Sequence, residues 1–159
     1  MRTLNGGQYG HWGVALMWHN ITNDAVEIID TYSDRIAVIK VSLHSRQICA
    51  VHVYLPCNGV PLESFKSEID NLHDLVNKLN KDTHVILLGD FNSRLSDKDS
   101  FSARDRWVTS LSSDYNLQVI PVSHQCTASQ FSFVPCSNCV LDHVIVDEGL
   151  SNDLMACHL

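Results

Sequence analysis

The sequence predicts an α+β fold in which two packed sheets carry helices on their outer sides. Three observations predict it. Strand-like runs crowd the first third, one long amphipathic helical stripe follows them, and strand candidates return near the end.

The first third supplies four runs. Residues 12–18 (WGVALMW) are apolar and rich in strand formers, and residues 25–29 make a short second run. Residues 35–43 (RIAVIKVSL) alternate, with Ala37, Ile39, Val41 and Leu43 uniformly apolar on one parity. That pattern predicts a half-buried strand. Residues 47–55 (QICAVHVYL) follow after a turn and are again β-branched and aromatic. Runs this closely spaced predict antiparallel meander pairing.

The period then changes. Leu62, Phe65, Ile69, Leu72, Val76 and Leu79 recur at spacings of three and four, with charged residues between them. This is an amphipathic helix opened by Pro61, and its apolar stripe is core packing. Residues 84–88 (HVILL) form a short, wholly apolar run, as a strand buried on both faces would. The chain is polar from Asn92 to Ser102, and residues 103–111 predict a short helix with Trp107, Val108 and Leu111 turned inward. Residues 117–122, 131–134 and 140–146 are further strand candidates.

Composition narrows the classes. With 159 residues the chain has room for one ordinary domain, and 45% hydrophobic content is too apolar for disorder. It contains no run of about 18 apolar residues, so no membrane span is expected. The first residues lack an apolar core of signal-peptide length, which predicts an intracellular protein, nuclear if it acts on DNA. The formal net charge of −7 argues against a freestanding, tight DNA-binding module. An enzyme that borrows positive charge from a metal ion stays open. Of the six cysteines, Cys49 lies in an apolar run and is expected to be a small buried hydrophobe. Cys136 and Cys139, with His124 and Cys126 upstream, could be a zinc site or ordinary loop residues.

The chemistry concentrates at Gly89-Asp90-Phe91-Asn92, where a buried strand ends. Alternation would send Asp90 and Asn92 to one side, and Gly89 would allow close backbone approach. A carboxylate there can act as a base or hold a metal-bound water, and a carboxamide can orient that water. An Asx turn capping the strand explains the same residues equally well. Two further residues widen the set. Tyr54 ends another strand just before Pro56, and Asp142 sits inside the apolar run 140–146, where a carboxylate needs a partner or a function.

Tyr54-x-Pro56, Gly89-Asp90-Phe91-Asn92, Phe131-Ser132-Phe133-Val134 and Leu141-Asp142-His143-Val144 follow the order and spacing of the endonuclease/exonuclease/phosphatase family. Residues 11–18 (HWGVALMW) resemble a further segment of the endonuclease domain of non-LTR (LINE-type) retrotransposon proteins. The likeness runs from about residue 6 to the end. It implies a four-layer α/β sandwich, a Mg²⁺ (or Mn²⁺) cofactor, DNA as substrate and a reverse transcriptase domain in the same polyprotein. By resemblance, Asp90 acts on the attacking water and Asn92 holds that water or the scissile phosphate. Tyr54 and Ser132 contact the phosphate, and Asp142 orients the family's catalytic histidine. His143 does not match that histidine, which follows a Ser-Asp in a later strand, so His143 is expected to be structural.

The resemblance also implies parts that this sequence lacks. It has no Gln-Glu pair to supply the family's metal-binding Glu, and no Ser-Asp-His, since it closes on Cys157-His158-Leu159. The expectation is a single partial domain over residues 1–159, without the first and last strands, and inactive alone. Two other expectations compete. One is a catalytically dead interaction domain of the same fold; the other is a phosphoinositide phosphatase or sphingomyelinase.

Overall fold

A computed structural model describes residues 13–19, 25–43, 46–95, 102–120 and 141–151. These form one mixed sheet of six strands, in the order β1-β2-β3-β4-β6-β5. Strands β1 (Val26–Ile29), β2 (Ile36–Leu43) and β3 (Arg46–Tyr54) make the antiparallel meander that the closely spaced runs predict. Helix α1 (Leu62–Leu79) then carries the chain over to β4 (His84–Asp90), which pairs parallel to β3. After α2 (Ala103–Asp114) come β5 (Leu117–Val119) and β6 (Asp142–Asp147), and β6 lies antiparallel between β4 and β5.

Both helices cover one face of the sheet, where the apolar stripe of α1 is buried. Phe65, Ile69, Leu72 and Val76 of α1 join Val108 and Leu111 of α2 in the core. Beneath them, Val38, Val51, Leu87 and Ile145 stand as neighbours on four adjacent strands. All four are fully buried. Burying side chains of this size contributes roughly 1.5–3 kcal/mol each. Of the expected four layers, the described residues supply one sheet and one layer of helices.

The sequence expectations need four corrections. Residues 13–19 do not form a strand in this sheet; Ala15 O meets His52 Nδ1 at 3.1 Å, and among the described residues no backbone ladder is made there. Strand β2 is not half-buried in alternation, since Ile36, Ala37, Val38 and Ile39 are all buried. The helices cover Ile36 and Val38, and the opposite face is shielded as well. Asp142 is the first residue of β6 and half-buried, so it sits at a strand's end, not within a buried run. Strand β4 is also not buried on both faces alike: Val85 and Leu87 are buried, whereas Ile86 and Leu88 are half-buried. The strand candidate 131–134 and the cysteines Cys126, Cys136 and Cys139 lie outside the described residues.

Leu87→Ala should lower the unfolding free energy by about 2–5 kcal/mol, measured by urea denaturation. Leu62→Ala, at a side chain 40% exposed on the same helix-and-sheet unit, should cost less than about 1 kcal/mol.

Candidate active site

The parallel pairing of β3 and β4 is what assembles the site. Its register sets Tyr54 beside Asp90, and the β4–β6 register sets Asp90 beside Asp142. The three residues therefore form one row across the ends of three adjacent strands. Alternation puts that row on the face opposite the helices. Arg35, just before β2, extends it: Tyr54 N–H donates to Arg35 O at 2.9 Å. The Arg35 guanidinium lies over the Tyr54 ring, 5.5 Å from its centroid, and donates to Tyr54 O at 3.3 Å.

Gly89 makes this register possible. Its φ is +129°, and a Cβ there would fall 2.1 Å from Val53 O and 2.8 Å from the His52 ring. No side chain fits. Beyond Asp90 the chain leaves the strand, and Asn92 takes a left-handed conformation with φ of 46°. Simple alternation therefore does not bring Asn92 beside Asp90; the turn does. Asn92 N–H donates to Asp90 Oδ1 at 2.8 Å, an Asx turn, and Asn92 Nδ2 donates to Leu55 O at 2.8 Å. The Asx turn and the site geometry are thus one structure.

Burial raises the Asp90 carboxyl above its ordinary pKa; the Asn92 N–H draws it back, and the facing Asp142 pushes it up again. A neighbouring cation would favour the charged form of Asp90 against both effects. Among the described residues, no group of three His, Cys, Asp or Glu could cage a metal. Asp90 and Asp142, neighbours in the β4–β6 register, are the carboxylates of the row that could hold a cation needing only one or two protein ligands.

His143 is structural. Its ring is buried, its Nε2–H donates to Ser93 O at 2.9 Å, and it packs against Phe91 with centroids 6.0 Å apart. Burial lowers its pKa, which keeps the imidazole neutral. Ser132 lies outside the described residues. Tyr54, Asp90, Asn92 and Asp142 are brought together.

Sequence reasoning passed over Arg35 and Asp105. Asp105 is buried and accepts from Ser93 Oγ (2.9 Å), Arg94 N–H (2.6 Å) and Ser102 N–H (2.7 Å). Its signal was present, because Ser102-x-x-Asp105 is a capping box, with Asp105 N–H donating to Ser102 Oγ. Arg35 carried no signal, since its stacking on Tyr54 exists only once β2 and β3 pair.

The model of a protein family described as endonuclease-reverse transcriptase matches residues 48–159. Among curated proteins, none matches the sequence. Solved structures do. The endonuclease domain of TRAS1, a telomere-specific non-LTR retrotransposon, aligns with a TM-score of 0.59 and 16% identity. That match covers 81% of this chain and 57% of the TRAS1 domain. The AP endonuclease LMAP from Leishmania major aligns with a TM-score of 0.54 and 16% identity, over 75% of this chain and 47% of LMAP. The chain thus spans about half the length of these structures. At such identity the likeness establishes the fold, and the α+β architecture is that of these endonucleases.

Two measurements check the geometry. Gly89→Ala should destabilise the fold by about 3 kcal/mol or more, since backbone must move; a thermal melt reads this. Asp105→Asn should cost about 1–3 kcal/mol at neutral pH, because a buried charged acceptor is lost. Burial by itself would raise the Asp105 pKa, but the bonds from Ser102, Arg94 and Ser93 outweigh it and lower the value. A lowered folded pKa gives stability that is present above the unfolded value of about 3.9 and lost as pH falls through the folded value. The gap between wild type and Asp105→Asn in urea denaturation should therefore narrow below about pH 4.

Proposed function

The chain belongs to the endonuclease-reverse transcriptase family, and from that premise we propose that the Tyr54–Asp90–Asp142 row belongs to a Mg²⁺-dependent site that hydrolyses DNA phosphodiesters. The observation that carries the proposal is the register that sets these three side chains side by side. The setting is target nicking on behalf of a reverse transcriptase in the same polyprotein, in the nucleus.

Each residue has a task that its surroundings support. Asp90, made more basic by burial, takes a proton from the attacking water. Asn92 donates from its amide nitrogen to Leu55 O, which leaves its Oδ1 to orient that water. Tyr54 offers its phenol to the scissile phosphate, and Ser132 supplies a second hydroxyl contact. Asp90 and Asp142 would hold Mg²⁺ or Mn²⁺, which would supply positive charge that lets an acidic protein approach the DNA backbone. We further propose that this chain, used alone, does not nick. It has no Gln-Glu pair and no Ser-Asp-His, so an anionic metal ligand and a phosphate clamp are both wanting.

Binding of a fluorescently labelled DNA duplex, followed by anisotropy, tests the site. Millimolar Mg²⁺ should tighten binding on the order of tenfold, and Asp90→Asn should remove that dependence. Binding indifferent to Mg²⁺ in both proteins would refute the assignment. Supercoiled plasmid should survive incubation with the chain and Mg²⁺. Nicking that disappears in Asp90→Ala would show that the chain is a complete catalyst. Release of phosphate from a phosphoinositide, with no DNA affinity, would move the substrate to lipids.

A further inference from the structure

We infer that Arg104 and Asp105, neighbours of opposite charge in the first turn of α2, are positioning residues that hold the two loops of the candidate site in register. The inference rests on the reading of that site as a phosphodiester-cleaving centre.

Arg104 is 6% exposed, yet among the described residues its hydrogen bonds go to carbonyl oxygens and not to a carboxylate. It donates to Pro56 O and, at 3.0 Å, to Val60 O. Its guanidinium also lies 4.6 Å from the centre of the Phe65 ring. A buried cation without an anion is costly, and packing alone could be served by an apolar side chain of similar length. What the guanidinium adds is its fork, which reaches both ends of the 56–60 loop at once. That loop begins two residues after Tyr54, and Leu55 O, just before it, accepts from the Asn92 amide.

Asp105 does the matching work on the other loop. It accepts from Ser93 Oγ and Arg94 N–H, the two residues that follow Asn92. Ser93 O in turn accepts from His143, whose strand also carries Asp142. One helical turn thus grips the loop after Tyr54 by its carbonyl oxygens and the loop after Asn92 by its donors. Carbonyl groups call for a cation and donor groups for an anion, which accounts for the opposite charges at adjacent positions. Misplacement of such side chains by about 1 Å is enough to cost a site on the order of a hundredfold in rate.

The test compares Arg104→Met, Arg104→Lys and Asp105→Asn with Val108→Ala, a buried apolar substitution on the same helix. Hydrogen exchange is read at the Leu55, Val60, Asn92 and Arg94 amides, and DNA affinity is read by anisotropy with Mg²⁺. Denaturant is used to match the variants in stability. Arg104→Met should lose protection at Leu55 and Val60, and Asp105→Asn at Asn92 and Arg94. Each should weaken DNA binding on the order of tenfold relative to Val108→Ala. Arg104→Lys should recover only part of this, since an ammonium cannot span both carbonyls. Exchange and affinity that simply follow stability, as in Val108→Ala, would overturn the inference. If the wild type binds no DNA, the phosphodiesterase reading fails; the exchange data then decide by themselves whether these residues fix the loops.

Discussion

A missing side chain organises the site: at Gly89 a Cβ would sit 2.1 Å from the neighbouring strand's carbonyl oxygen. Because that space is empty, β4 can lie against β3 up to its last residue and bring Asp90 level with Tyr54. Leu55 N–H then donates to Asp90 O at 2.9 Å, so the pairing continues one step past the strand. The left-handed turn at Asn92 follows from the same departure, since the chain must leave the sheet plane immediately. Displacing β4 along β3 by one residue would turn Asp90 toward the helices.

The two faces of the sheet divide the labour. On one, the apolar stripes of α1 and α2 close a core whose members are almost wholly removed from water. On the other, Tyr54, Asp90 and Asp142 are half-buried. This intermediate environment is chemically useful, because full exposure would leave Asp90 an ordinary carboxylate and full burial would neutralise it. The net charge of −7 gives the facing carboxylates no help in approaching a polyanion. On the proposed function, a cation held there would supply that help locally.

Precision at such a site comes from what stands behind it. The carbonyl groups of residues 56 and 60 and the donors of residues 93 and 94 all end on one turn of α2. The same Asp105 that caps the helix is the anchor of the second loop, so helix formation and loop placement are one event. His143 adds a tie from β6 to Ser93 and gives up any acid–base role, its ring neutral and enclosed.

Local pattern by itself determined a good deal. The spacing of Leu62 to Leu79 fixed the bounds of α1, the close β-branched runs fixed the meander, and Gly-Asp-x-Asn marked where the chemistry lies. These features depend on neighbours within a few residues, and a sequence displays them directly. What only the tertiary structure decided was which residues meet. Arg35 over Tyr54, Arg104 beneath the 56–60 loop and Asp142 opposite Asp90 join positions far apart in the chain. Their partners are set by strand register and helix packing, which no local spacing encodes. Residues 13–19, apolar enough for a strand, make the same point: among the described residues they pair with no strand, and their own pattern could not decide that.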